Sequence, residues 1–187
     1  MLKVDWCHST PARRLFTGWV DNQATVTTGI FLKLLTMLLA SNGAPILAAR
    51  LLGSRASIPV DFNKRLGDGN AIFGVSKTWR GICAALLTAC ILAELFDFGL
   101  TFGLLFGCNV MLGDLISSFM KRRCGLRPSD RSIGLDQLPE SLLPALYSCF
   151  SMELVWWWAV VLSLAFMLLQ LLVSKPLFLL NIRKRPY

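Results

Sequence analysis

An aspartate inside an apolar run is the sharpest chemical feature of this chain. Asp114 sits in Gly113-Asp114-Leu115-Ile116-Ser117-Ser118-Phe119-Met120-Lys121-Arg122-Arg123, and Ser117, Ser118 and Lys121 follow it three, four and seven residues on. That spacing puts all four on one helical face. A carboxylate within a membrane span costs at least about 2.5 kcal/mol unless it is compensated. Asp114 is therefore expected to face a polar cavity, a cation or a basic partner; simple pairing with Lys121 near the interface is the structural alternative. Lys121-Arg122-Arg123 closes the helix with three cations, which suit anionic headgroups or a polyphosphate and also serve as ordinary topology determinants. Asp130 and Asp136 come next. With Asp114 they offer carboxylates to Mg2+, a hard cation that keeps waters and binds alongside substrate phosphates. Two such ions about 4 Å apart would clamp an in-line phosphoryl displacement. Asp130, directly after Pro128-Ser129, reads more simply as a helix cap or the counter-charge of an arginine.

A second polar stretch, Arg50 to Arg80, holds Arg50, Arg55, Lys64, Arg65, Lys77 and Arg80 with Asp61, Asp68 and several glycines. Gly74-Val75-Ser76-Lys77-Thr78 opening a helix resembles half of a phosphate-binding loop, since backbone N–H groups at a helix start bind anions. The full pattern is absent because Ser76 stands where glycine should precede the lysine; a capped helix start with topology-setting cations is the plainer reading. Upstream, Ser41-Asn42-Gly43-Ala44-Pro45 interrupts an apolar run with turn-forming residues. Proline removes a helix hydrogen bond, and broken helices at membrane depth line polar cavities. The cluster is thus expected either to bring Asn42 to such a cavity or to be a tolerated kink, or the end of the first helix near residue 41.

The elements that must position these residues are membrane spans. Of 187 residues, 55% are hydrophobic and 16% charged, against about 25% charged in soluble domains, and the mean hydropathy is +0.58. The spacing predicts spans near Thr25–Ala49, Gly81–Phe96 and Leu100–Met120, with Asp97-Phe98-Gly99 as a tight turn. Leu142–Val173 is longer than the roughly 20 residues one span needs and divides at Glu153 into a shorter and a longer part. The net charge of +8 is concentrated between the apolar runs, so membrane headgroups and polyphosphates, not nucleic acid, are the expected anionic partners. Both basic loops and the tail with Lys175, Arg183, Lys184 and Arg185 belong on the cytoplasmic side. That parity implies about five transmembrane helices in an all-α, multi-pass protein of the cytoplasmic membrane, N-terminus outside and C-terminus inside. Trp156-Trp157-Trp158 suits the far interface. Residues 1–28 form a polar N-terminal extension without the features of a signal peptide, and 29–187 the transmembrane domain. Six cysteines without a CxxC pair, and a single histidine, argue against zinc. Homo-oligomer formation is left open.

Several segments line up with one family: Ala40-Ser41-Asn42-Gly43-Ala44-Pro45, Pro59-Val60-Asp61-Phe62, Asp68-Gly69, Ser76-Lys77-Thr78-Trp79-Arg80-Gly81, Gly113-Asp114-Leu115 with Ser118 and Lys121-Arg122-Arg123, and Gly134-Leu135-Asp136-Gln137-Leu138. In this order and spacing, over roughly residues 30–187, the chain resembles the CDP-archaeol synthases, which are similar to the CDP-diacylglycerol synthases. Larger relatives carry a Lys-Arg pair, then a Pro-Gly-His-Gly-Gly stretch and two late aspartates. Lys121-Arg122 match the pair and Asp136 the first aspartate. The glycine stretch is reduced to Ser132-Ile133-Gly134, and Pro139, followed by Glu140, takes the place of the second aspartate.

The resemblance implies a Mg2+-dependent transfer of the cytidylyl group of CTP to a lipid phosphate such as phosphatidic or archaetidic acid, with pyrophosphate released. On that reading Asp114, Lys121 and Asp136 form the catalytic set, Asp114 and Asp136 being Mg2+ ligands. Lys77, Lys121 and Arg122 hold the triphosphate or the leaving pyrophosphate, Asn42 contacts base, ribose or headgroup, and Asp61 and Asp68 have no assigned role. Two other classes stand beside it: a transporter or channel using Asp114, against which the chain shows no internal repeat, and a non-catalytic subunit binding anionic lipids. Mg2+-dependent CTP binding separates the first from both.

Overall fold

The computed structural model describes residues 11–125 and 137–179, with side chains from 28 to 125 and from 137 to 172. These form five α-helices: α1 (Pro11–Leu52), α2 (Trp79–Leu95), α3 (Leu100–Arg123), α4 (Gln137–Ser151) and α5 (Trp157–Leu179). Among the described residues there is no strand, only isolated bridges pairing Pro59 with Thr78 and Arg65 with Ala71. The all-α expectation holds. Two compact units divide the chain, Met1–Lys33 and Leu34–Tyr187; of the first, the described part is helical from Pro11, and the candidate site lies within the second.

Local signals set the helix ends. Thr78, in extended conformation, caps α2 by accepting from the Gly81 N–H, as N-cap threonines do. The α2–α3 turn runs through Asp97 (φ 64°) and Gly99 (φ 84°), the left-handed backbone that glycine adopts without steric cost. α3 ends on Lys121, Arg122 and Arg123, cations placed where the helix dipole is negative. One expectation needs correcting: α1 neither stops near residue 41 nor breaks at the Ser41–Pro45 cluster, but continues to Leu52 with Pro45 inside it. The Asn42 side chain donates to the Leu38 carbonyl at 3.0 Å. A proline removes a single N–H, whereas unwinding in lipid would expose many.

The packing is that of a lipid-bathed bundle. Along α2 the buried residues are Gly81, Ala85, Ala89 and Ala93, while Leu87, Ile91 and Leu95 face outward. Opposite them, α3 buries Gly103 and Gly107. A Cβ at Gly103 would lie 2.6 Å from the Ala93 Cβ and 2.8 Å from the Cys90 Cα, so the two backbones approach as only small residues allow. Ser117, Ser118, Ser141 and Ser148 are buried while Leu104, Leu112 and Ile116 are exposed, an arrangement that suits hydrocarbon and not water outside. Thr28–Leu52 and Leu100–Arg123 are long and apolar enough to cross a bilayer, and Trp157–Leu172 is a shorter apolar helix. Between α4 and α5, Glu153 turns the chain with φ 53°, ahead of the stacked Trp157 and Trp158 rings.

Candidate active site

The loop between α1 and α2 has little regular structure but is tied at several points. At its ends, the Arg80 guanidinium donates to the carbonyls of Gly53 and Arg55, each at 2.7 Å. The backbone bridge beside it pairs Val60 N with Lys77 O at 2.8 Å and Trp79 N with Ile58 O at 3.1 Å. In the middle stands Asp61, only 5% exposed. One carboxylate oxygen accepts from Asn63 N at 3.0 Å, the other from Phe73 N at 3.0 Å and Gly74 N at 2.9 Å. Burial pushes this carboxyl upward, but the N–H groups of Gly74, Phe73 and Asn63 together outweigh it and hold its pKa below the ordinary 3.8.

These bonds engage the backbone at both ends of the Gly74–Thr78 segment. The N–H groups of Phe73 and Gly74 belong to Asp61, and that of Gly81 to Thr78, so they are not available to cradle an anion. Gly74 has a φ of 95°, the left-handed region that glycine adopts without steric cost. A prediction follows for Asp61→Ala. Leaving the three N–H groups of Asn63, Phe73 and buried Gly74 without their acceptor is expected to cost about 1–3 kcal/mol, read as a lower thermal midpoint at pH 7. A carboxyl whose folded pKa is depressed stabilises above its unfolded value and loses that contribution as pH falls through the folded one. The gap between parent and variant should therefore close below pH 3.8; a gap independent of pH would show that the carboxylate charge is not what holds the loop.

So anchored, the loop delivers Lys77. Its N–H donates to Gly74 O at 3.1 Å and its carbonyl accepts from Val60, which fixes the backbone; its Nζ then donates to Asp114 Oδ1. The side chains are 22% and 17% exposed, respectively. This is the compensation that Asp114 demanded. Its partner comes from the other loop, not from Lys121, which lies two turns further on, about 10 Å along the axis. On the neighbouring side, Gly113 admits the first turn of α4: a Cβ there would sit 2.1 Å from the Pro139 carbonyl oxygen and 2.7 Å from the Glu140 Cα. Buried Gln137 and Ser141 belong to that turn, with Ser141 Oγ donating to Gln137 O at 2.7 Å.

Lys77 and Asp114 thus come together. Lys121 and Arg122 stand on the last turn of the same helix, Arg122 buried at 5% exposure. Asn42 lies on α1, one turn before Pro45, whose Cβ is 3.2 Å from where a Gly81 Cβ would be; this is the start of α2, close in sequence to Lys77. Asp130 and Asp136 lie outside the described residues. Sequence reasoning left Asp61 and Asp68 without roles. The one available signal was local: Asp-x-Asn at 61–63 and at 68–70 favours turns in which the carboxylate accepts from the backbone two residues on. Their long-range partners carry no such signal. Among the described residues, no three His, Cys, Asp or Glu side chains converge as a metal centre.

Comparison with known proteins gives a consistent answer. A family model described as CarS-like, CDP-archaeol synthase, matches residues 27–187. The CDP-archaeol synthase of Pyrococcus furiosus is 34% identical over 107 residues, 52% of this chain and 60% of that protein. That of Hyperthermus butylicus is 35% identical over 118 residues, 59% of this chain and 67% of that protein. The chain therefore spans about three-fifths to two-thirds of the length of these relatives. A solved structure described as an intramembrane enzyme for archaeal membrane lipid biosynthesis superposes with a TM-score of 0.63 at 24% identity, covering 76% of this chain and 91% of that one, and so shares the fold.

Proposed function

The chain belongs to the CDP-archaeol synthase family, and on that footing we propose that it transfers the cytidylyl group of CTP to a membrane lipid phosphate. An oxygen of the lipid phosphate attacks the α-phosphorus of CTP. The new P–O bond forms as the bond from the α-phosphorus to the oxygen bridging it to the β-phosphorus breaks, and pyrophosphate leaves with that electron pair. The attacking phosphate is already anionic, so no general base is needed. The protein's work is alignment and charge neutralisation.

The observation that carries this reading is Lys77 held on Asp114, the one charged residue of α3 ahead of its three closing cations. In the proposed reaction Lys77 passes from Asp114 to the phosphates of CTP, with Lys121 and Arg122 completing the positive surface for the triphosphate. Asp114 fits a Mg2+ ligand: Lys77 engages only Oδ1, and Oδ2 has no hydrogen bond among the described residues. One or two carboxylates plus substrate phosphates and waters are the usual Mg2+ set. Asp136 is proposed as the second carboxylate. When bound, Mg2+ would neutralise phosphate charge and orient the triphosphate. Asn42 is proposed to contact the base, ribose or headgroup. The loops and C-terminus are assigned to the cytoplasmic side on their charge, where CTP is available.

The test is turnover in detergent with radiolabelled CTP, Mg2+ and a panel containing phosphatidic and archaetidic acids. A CDP-lipid from one of them, with equimolar pyrophosphate, is the expected result and identifies the lipid class. No product with any lipid, together with no Mg2+-dependent CTP binding, would remove this reading.

A further inference from the structure

Lys121, Arg122 and Arg123 are consecutive, yet the third does something the reaction above does not use. The Arg123 side chain leaves the end of α3 and grips the tip of the α1–α2 loop, more than fifty residues away in sequence. Its Nη1 donates to Asp68 Oδ2 at 2.5 Å. Its Nη2 donates to Ala71 O at 2.7 Å and lies 3.5 Å from Asn70 O. The guanidinium sits 5.2 Å from the centroid of Phe119, one turn back, and Phe119 in turn meets Phe73 with ring centroids 6.5 Å apart. The loop tip is shaped to be held: Asp68 Oδ1 accepts from Asn70 N at 3.1 Å, and Gly69 has φ 77°.

Polar contacts therefore tie the loop to α3 at two places, Lys77 on Asp114 and Asp68–Ala71 on Arg123, with Phe73 against Phe119 besides. Nine residues separate Asp114 from Arg123, roughly 14 Å along the helix. The loop lies as a strap over the last turns of α3, fixed at both points, with Asp61 tying Phe73 and Gly74 between them. We propose that Arg123 and Asp68 form a latch that holds this strap and so positions Lys77 over Asp114. Arg123 is a positioning residue, distinct in role from the Lys121 and Arg122 beside it; this rests on the cytidylyl-transfer reading only for its kinetic consequence.

The test uses the full chain in lipid nanodiscs with Arg123→Ala, Asp68→Ala, the double variant and Arg123→Lys. Hydrogen exchange is followed in the segment 64–73, and CTP turnover alongside it. Each alanine variant should speed exchange in that segment about tenfold, and the double variant no further, because both remove one coupled unit. Lysine keeps the charge but not the fork that reaches carboxylate and carbonyl together, so it should not restore protection. Turnover should fall roughly fivefold in kcat, the scale of a partly exposed ion pair with its hydrogen bonds, with KM for CTP nearly unchanged. The latch is overturned by exchange that stays at the parent rate in either single variant, or by effects that add. It is overturned equally by a KM rise confined to Arg123→Ala and cured by lysine, which would make Arg123 a nucleotide-binding cation. Exchange needs no turnover, so an inactive parent protein would sink the cytidylyl-transfer reading while the latch still stood or fell on exchange.

Discussion

Asp114→Asn is expected to lower CTP turnover by two to three orders of magnitude, about the loss seen when one preorganised electrostatic group is removed from a reaction centre. Asparagine keeps the size of the side chain and can still accept a hydrogen bond from Lys77. It removes the charge, and with it the capacity to bind Mg2+ strongly. The Mg2+ concentration giving half-maximal turnover should therefore rise sharply, a shift that a merely destabilised enzyme would not show. Stability should fall by only about 1 kcal/mol, since the pair is partly exposed and solvent screens it. Lys77→Met should lose comparable turnover. Combining the two should destabilise less than the sum of the single changes, because removing both halves leaves no uncompensated charge in the bundle. Turnover and Mg2+ dependence unaltered in Asp114→Asn would take this carboxylate out of the mechanism.

Gly113→Ala is the second large effect, and it works through packing. The added Cβ would lie 2.1 Å from the Pro139 carbonyl oxygen, 2.5 Å from its carbon and 2.7 Å from the Glu140 Cα. All three are backbone atoms, so no side chain can swing aside; the first turn of α4 must move off α3. Overpacking of this kind costs about 1–3 kcal/mol. A displacement of about 1 Å beside the reacting groups can cost about a hundredfold in rate. Gly107→Ala provides the comparison. There the Cβ would meet the Leu86 Cδ2 at 3.1 Å, a side-chain end that can give, and the Ala89 Cβ and Leu86 Cα at 3.0 and 3.3 Å, contacts that a shift of a few tenths of an ångström relieves, about two turns before Asp114. Turnover and thermal midpoint measured on both should separate them clearly. Gly113→Ala within twofold of the parent in turnover would mean that the α3–α4 contact does not position the site.

Much of the architecture was legible in the linear chain. Apolar runs too long and too poor in charge for a soluble protein announced membrane helices, because hydrocarbon tolerates little else. Asp97-Phe98-Gly99 and Thr78 marked helix ends through effects confined to a few residues, a left-handed turn and a side-chain cap. Asp114 announced its need for a compensating partner by the cost of a carboxylate in that setting. At the Ser41–Pro45 cluster it was the tolerated proline, among the alternatives, that the fold took, since local turn propensity was overridden by the need to keep backbone groups bonded inside a bilayer.

What only the tertiary structure decided was partnership. Helical periodicity places Lys121 on the face of Asp114 but not at its height, and the cation that arrives is Lys77, from another loop. Successive helical residues point about 100° apart, so three adjacent cations cannot share one target, and Arg123 turns to Asp68 instead. Asp61 looked like one more loop acid until the chain brought Phe73 and Gly74 to it. Nothing around Gly113 in the sequence tells that Pro139 fills the space above it. Short-range preferences are written in neighbouring residues and can be read there. Pairing across a loop depends on how the backbone closes, which is decided by the sum of many weak contacts and by no single residue type.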